Sequence, residues 1–379
     1  MRSLLLLIDG LGDDPVPALG LKTPFAYAAH PLMDALAEQG ALAACSICEQ
    51  DLAPESCSCI SRLLGLPKEA IPRNRAYMEL TAHGWNINEN QMVLRCNLVA
   101  VDKHGALAGF NAPGLANVQM AEAARCCFNL DNEAIFVFLS EYRNLIVVSR
   151  DEKLASCLIK PPHENVGGSM DELLAGLRQA SPKIAAFLDK ARQALARFTN
   201  EAEGLHYELY PWGVSLRQSL PSFTELNGGL KGGAVCKAEI VSGLAKALGM
   251  EVRVPEHATG DVDTDVIGKA AAAAELLERN DFVLAHFNGT DEAAHRRDAA
   301  AKAAFIEQID REFLGYLRQK YCEPLKIIIC GDHVTSSVSG RHGSGKVPVI
   351  AGVMHGKGKI GPIIDSYRDI RKFLIQKLY

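Results

Sequence analysis

The chain has 379 residues, 48% of them hydrophobic, and a formal net charge of −5. That length allows two domains, or one domain with a large insertion, around a sizeable core. The acidic balance gives no reason to expect nucleic acid or an anionic membrane as a partner, and no segment approaches the ~20 apolar residues of a membrane span. The opening MRSLLLLIDG is too short for a signal peptide and runs into Asp9 and Gly10 without a small-residue cleavage site, so it reads as a buried strand. Eleven cysteines, an odd number with no leader, point to reduced thiols in a cytoplasm.

The apolar run over residues 3–8 predicts the first strand. A glycine-rich loop follows, then a helix over 31–39 with Leu32, Ala35 and Leu36 at helical spacing. A second strand is expected over 41–48, and a short helix over 60–64 stopped by Gly65. The middle of the chain changes character, with strands expected over 92–101, 134–139 and 144–148 and helices over 171–177 and 182–198. The stretch 227–233 holds four glycines and reads as a connector. Beyond it come a helix over 238–248, a strand over 252–254, a helix over 264–279 and a strand over 282–287. A long helix over 293–319, strands over 325–330 and 348–351, and a helix over 366–378 complete the pattern.

Several polar residues sit where these apolar runs stop. Asp9 ends the first strand, and open α/β sheets bind ligands beyond the carboxyl ends of their strands. Gly10 and Gly12 after it let backbone approach closely. Asp291 and His295 are four apart at the start of a helix, so both project from one face. Asp332 and His333 follow the strand over 325–330 across Gly331, and His342 lies nine residues later in a Gly/Ser-rich loop. Ser56 lies in a loop ahead of a short helix, where free N–H groups face outward. Each has an ordinary reading taken singly: a capping Asp, a solvated helix start, an exposed His, an N-cap Ser. As a set they are hard carboxylates, borderline imidazoles and an oxygen nucleophile. Two divalent ions about 4 Å apart can clamp the attacking and leaving oxygens of a phosphoryl transfer, and coordination activates a serine hydroxyl. Mixed Asp/His sites suit manganese or zinc, and an oxygen-rich site suits magnesium.

Ligand candidates occupy both ends of the chain and not the middle. The expected organisation is therefore one metal-binding domain from residues 1–72 and 236–379, with a second domain inserted over 73–235. Cys45, Cys48, Cys57 and Cys59 also form C-x2-C and C-x-C pairs, a pattern that suits a metal; cysteines pack equally well as small hydrophobes.

Taken in order, IDGLGD, KTPFAYAAHPLMDALAEQG, RNRAYMEL, VLRCNLVAVD, PPHENVG, LPSF, ATGDVDTD, DEAAH, GDH and VPVI resemble the archaeal-type, cofactor-independent (2,3-bisphosphoglycerate-independent) phosphoglycerate mutases of the alkaline phosphatase superfamily. The resemblance covers nearly the whole chain. It implies an α/β, alkaline-phosphatase-like core, with a central, mostly parallel sheet flanked by helices, plus an inserted α+β domain. It implies that one metal is held by Asp291, His295 and His342, and the other by Asp9, Ser56, Asp332 and His333. It further implies that Ser56 takes the phosphoryl group from phosphoglycerate and returns it to the other hydroxyl of the retained glycerate. Arg75, Arg95, Arg150 and His163 match the family's substrate motifs, and Lys231, with Lys237 as its competitor, is implied near the phosphoryl group. The chain departs from the family around the nucleophile, where Cys57 and Ile60 replace an acid and a histidine. It departs again at Ile159, Lys160 and Pro161, where an acidic stretch is lost. These departures keep a phosphatase or phosphotransferase acting on another small phosphorylated acid as an alternative, and a non-catalytic metal- or anion-binding homologue as a third.

Overall fold

The computed structural model describes residues 1–47, 52, 54–72, 74–356 and 362–376. The chain divides into two compact units, Met1–Pro72 with Leu220–Tyr379, and Arg73–Ser219.

The first unit is built on a seven-stranded sheet. Its strand order is Glu251–Arg253, Gly232–Val235, Phe282–Phe287, Arg2–Ile8, Leu325–Cys330, Val347–Met354 and Ala41–Cys45. All pairings are parallel except those made by Val347–Met354. Strands covered on both faces read as continuous apolar runs, and Leu4 to Ile8 at the centre are fully buried. The helices Pro31–Gln39, Val266–Arg279 and Ala299–Gln308 supply Met33, Leu276 and Ile306 to the same core as Leu6 and Ile329. Register decides what lies at the sheet's carboxyl edge. Ile8 pairs with Phe287, and Leu7 with Cys330. The residues that follow these three strands therefore emerge side by side.

The second unit carries a separate antiparallel sheet in the order Ala134–Ser140, Arg143–Ser149, Gln91–Asp102, Leu205–Leu216 and Thr199–Asn200, with Leu107–Gly109 pairing the third of these. Helices Asn117–Cys126, Met170–Ala180 and Pro182–Leu195 bring Ala123, Leu174 and Phe187 into one core with Leu94, Cys96 and Leu98. Side chains alternate across a strand, so Arg95 and Asn97 point to the other face.

Four expectations need correction. The connector expected over 227–233 contains part of a strand. A Cβ at Gly232 would meet Phe223 at 2.6 Å, and one at Gly233 would meet Leu276 at 3.2 Å, so glycine admits the close packing of that strand. The second unit consequently returns at Ser219, not at 235, because Gly232–Val235 belongs to the first unit's sheet. The helix expected over 293–319 is broken: Gly289–His295 closes at Arg297, whose φ of 60° reverses the chain before Ala299–Gln308 begins. The helix expected over 60–64 begins at Ser56, one turn earlier. Of the paired cysteines, Cys48 lies outside the described residues. Cys45 and Cys57 form no disulfide, and Cys59 is disulfide-bonded and so is no thiolate ligand. Among the described residues no helix is long and apolar enough to cross a membrane.

Leu6 is fully buried in the central strand. Replacing it with alanine is expected to cost about 2–5 kcal/mol through lost burial and the cavity left behind. Urea denaturation followed by far-UV circular dichroism should show the loss; an unchanged midpoint would contradict this placement.

Candidate metal centre

Three strand ends build the centre. The Asp9 N–H still donates to Phe287 O at 2.8 Å, so its side chain is held rigidly by the sheet. Gly10 follows at a φ of 62°, and a Cβ there would meet Asp291 Oδ1 and Thr335 Oγ1 at 2.7 Å. Only glycine lets the two flanking strands' loops close this tightly. Asp332 Oδ1 accepts from the N–H groups of Gly10 at 3.1 Å and His333 at 3.0 Å.

Around Asp9 the side chains converge. Its Oδ2 accepts from Ser56 Oγ at 3.2 Å and from His286 Nε2 at 3.0 Å, and its Oδ1 lies 3.3 Å from His333 Nε2. Ser56 Oγ is 3.5 Å from His333 Nε2. Asp332 Oδ2 is buried, makes no hydrogen bond and lies 3.5 Å from His333 Nε2. A second group forms around Asp291. His295 Nε2 lies 3.2 Å from Asp291 Oδ2, His342 Nε2 lies 3.5 Å from Asp291 Oδ1, and the two imidazole nitrogens are 3.0 Å apart.

Hydrogen bonding fixes which nitrogens are bare. The Thr335 hydroxyl has one proton and donates it to Asp291 Oδ1 at 2.5 Å. His333 Nδ1, 3.1 Å from that hydroxyl, must therefore carry a hydrogen, which in the neutral ring leaves Nε2 as a lone pair. His295 Nδ1 donates to Gly340 O at 2.9 Å, so when Nε2 gives up the proton it shares with Asp291 that nitrogen is the one left to bind a cation. Ligand atoms of Asp9, Asp332 and His333 lie within 4.8 Å of one another, as do those of Asp291, His333 and His342.

This crowding is costly without positive charge. Burial, and after it the charges of Asp332 and Asp291, push the Asp9 carboxyl well above the usual carboxylate range. Burial also pushes Asp291 up, but bonds from His295 and His342 outweigh it and hold that group below the usual range. The bond to Asp291 raises His295 to about 9. Bare acceptors that face one another, with an orphaned carboxylate oxygen among them, fit divalent cations bound by oxygen and imidazole.

Residues 1–360 match the model of the metalloenzyme superfamily. A 2,3-bisphosphoglycerate-independent phosphoglycerate mutase of Thermococcus kodakarensis is 30% identical over 92% of this chain and 87% of its own length. A second mutase of that name, from Methanothermobacter thermautotrophicus, is 30% identical over 97% of this chain and 92% of its own. The chain belongs to the 2,3-bisphosphoglycerate-independent phosphoglycerate mutase family, within the metalloenzyme superfamily. The solved structure of the PH0037 protein from Pyrococcus horikoshii superposes on all of it with a TM-score of 0.76 at 26% identity, covering 98% of that protein. A cofactor-independent phosphoglycerate mutase from Thermoplasma acidophilum shares the fold, with a TM-score of 0.61 at 24% identity and 99% coverage of both chains.

The mutase-family substrate residues fare unevenly. Arg75 and Arg95 gather about the buried Glu79, with Arg95 Nε at 3.0 Å and Arg75 Nε at 3.9 Å. The Arg95 guanidinium lies 4.3 Å over Trp212, whose ring in turn meets His163 edge-on at 6.4 Å. Arg150 does not join them. It follows Ser149, which pairs with Gln91, four residues along the strand from Arg95, and it bonds Glu152 at 2.7 Å instead. Arg143 sits nearer, in register with Asn97, and sequence reasoning missed it because strand pairing cannot be read from spacing. Lys231 is also misplaced. It precedes Gly232–Val235 and exchanges bonds with Asp281, at the amino end of Phe282–Phe287. That is the edge opposite Asp9, about 20 Å away along a six-residue strand; Lys237 follows the carboxyl end of Gly232–Val235, at the metal-facing edge.

Other residues at the centre carried no sequence signal. His286 is fully buried inside an apolar strand; burial lowers it to about 4, so the neutral ring donates Nε2–H to Asp9. Thr290 Oγ1 bonds Asp9 O. Buried Lys302 ties the two loops together, bonding Asp13 Oδ2 at 2.7 Å, Thr335 O at 2.9 Å and Gly12 O at 3.1 Å.

Glu79 is the only carboxylate bonded to the largely buried Arg95 among the described residues. Glu79→Gln should destabilise the second unit by about 3 kcal/mol, because a buried charge loses its partner. Both tryptophans, Trp85 and Trp212, lie in that unit. Their fluorescence should therefore report an earlier unfolding midpoint, and an unmoved midpoint would contradict the pair's role.

Proposed function

We propose that this chain interconverts 2- and 3-phosphoglycerate through a phosphoserine at Ser56. The observation that carries this reading is the placement of Ser56 Oγ, 3.2 Å from Asp9 and 3.5 Å from His333, at the first residue of a helix. Mutase relatives that match nearly the whole chain support it.

Asp9, Ser56, Asp332 and His333 would hold one divalent cation, and Asp291, His295 and His342 the other, with manganese, zinc or magnesium suited to these donors. Bound there, such ions lower the serine's pKa and stabilise negative charge on phosphoryl oxygens. Ser56 Oγ forms a bond to phosphorus while the bond from phosphorus to the glycerate oxygen breaks. The serine proton, which lies on the bond to Asp9, is matched by a proton taken up on the departing glycerate oxygen. In the reverse half, the other glycerate hydroxyl attacks the phosphoserine, loses its proton and frees Ser56. Ser56 opens the helix Ser56–Leu64, and a helix start favours the negative charge of a transferred phosphoryl group. Arg75, Arg95 and Arg143 offer planar donors for a carboxylate or phosphate.

Cys57 and Ile60, the first and fourth residues after Ser56, are buried. Neither side chain supplies an acid or imidazole next to the nucleophile, which favours a second reading: the same first half-reaction, with water or another acceptor taking the phosphoryl group. Assays of isomerisation and phosphate release, run side by side on 3-phosphoglycerate with manganese, separate the two. The mutase reading expects 2-phosphoglycerate to dominate over free phosphate. Dominant phosphate release would replace it with the hydrolytic one.

Ser56→Ala should lower turnover by at least about three orders of magnitude while the melting temperature stays close to that of the wild type. A near-normal rate would point to water as nucleophile. Asp291→Asn and His342→Ala should each deplete one equivalent of metal, and Asp332→Asn chiefly the other. Elemental analysis of the purified variants checks this, and full retention of both ions in all three would overturn the ligand assignment.

A further inference from the structure

We propose that Thr335 is a positioning residue whose single hydroxyl orients one ligand of each metal, so that its loss weakens both ions at once. The inference rests on the two-metal reading above. Thr335 is fully buried, and its Oγ1 lies 2.5 Å from Asp291 Oδ1 and 3.1 Å from His333 Nδ1. Asp291 belongs to one ligand group and His333 reaches both. No other described side chain bonds a member of each group from outside the ligand set.

The chemistry of the hydroxyl gives the contact direction. Its proton goes to the carboxylate, the stronger acceptor. Its lone pair then accepts Nδ1–H, and the bare Nε2 of His333 is turned toward Asp9 and Asp332, 3.3 and 3.5 Å away. A histidine held in the opposite tautomer would aim an N–H at that point and could not ligate. Asp291 is oriented by the same bond, which leaves Oδ2 to His295.

The backbone around Thr335 does not depend on its side chain. Its N–H donates to Gly12 O at 3.0 Å, and its carbonyl accepts from Lys302 at 2.9 Å. Valine has nearly the same shape, keeps both backbone bonds and lacks only the hydroxyl. Serine keeps the hydroxyl and lacks the methyl. The pair separates orientation from packing.

The test uses the full-length protein stripped of metal, titrated with manganese and followed by electron paramagnetic resonance of the free ion. Wild type is expected to bind two equivalents. Thr335→Val should bind both roughly 10- to 100-fold more weakly, whereas Thr335→Ser should stay close to the wild type. Nitrogen-15 spectra of the histidine rings in the metal-free protein should show His333 as the Nδ1–H tautomer in the wild type and in the serine variant, and a mixture in the valine variant. Unchanged affinities and tautomer in Thr335→Val, with wild type still binding two ions, would overturn this inference alone. Equal weakening in the serine and valine variants would assign Thr335 a packing role and overturn it as well. Wild-type protein that binds no manganese would overturn the two-metal reading, and this inference with it.

Discussion

Three carboxylates crowd together at the carboxyl ends of three parallel strands of one sheet, and most of the first unit can be understood as the means of holding them there. Asp9, Asp291 and Asp332 are each at least nine-tenths buried. Isolated buried carboxylates are strongly disfavoured, and like charges at this spacing raise the cost further. The sheet supplies what opposes that cost. Leu4 to Ile8 and their neighbours bury a large apolar area, and their register brings the three strand ends level. Neutral donors offset part of the repulsion: His286 and Ser56 on Asp9, two backbone N–H groups on Asp332, Thr335 on Asp291. What remains faces a shared point with bare oxygen and nitrogen atoms. Divalent cations are the charge that completes such an arrangement.

The loops that carry these ligands are short and tightly braced. Gly10 is required where Asp291 and Thr335 leave no room for a Cβ. Lys302 replaces water as the donor to three loop oxygens, and its own charge is balanced by Asp13. Burial lowers the Lys302 pKa, and the paired carboxylate opposes that shift. Such a pair adds little net stability on its own. Its consequence is geometric, because it joins the loop after the first strand to the loop that contains Thr335. Preorganisation of this kind matters for phosphoryl transfer, where positioning and electrostatic stabilisation carry most of the catalysis.

Asp9, Asp291, Asp332 and His333, four of the candidate ligands, stood out in the sequence because they lie at or just beyond the end of an apolar run, and that punctuation survives without an alignment. Asp9 after LLLLI and Asp332 after IIIC are cases in point. Other residues escaped for physical reasons. His286 sits inside an apolar strand, and periodicity says nothing about which buried polar group meets which. Thr335 looks like any threonine in a Ser/Thr-rich loop; only the fold brings it between Asp291 and His333. Arg150 was named from its motif and Arg143 was overlooked, because the register of two antiparallel strands is a tertiary property. Lys231 was placed at the wrong end because the glycine pair after it reads as a connector, whereas close packing against Phe223 and Leu276 makes it a strand. The strand Leu205–Leu216 was missed altogether, since Pro211 in its middle argues against a central strand. The bulge in its pairing with Gln91–Asp102, between Val93 and Arg95, is part of how that strand is accommodated.

The central claim is that the carboxylate cluster is a site for two cations with Ser56 among the ligands of one. Anomalous diffraction from crystals grown with manganese tests it most directly. Two peaks about 4 Å apart are expected, one bounded by Asp9, Ser56, Asp332 and His333, the other by Asp291, His295 and His342. A map with no anomalous peak between these side chains, at a manganese concentration that saturates the protein in solution, would contradict the account.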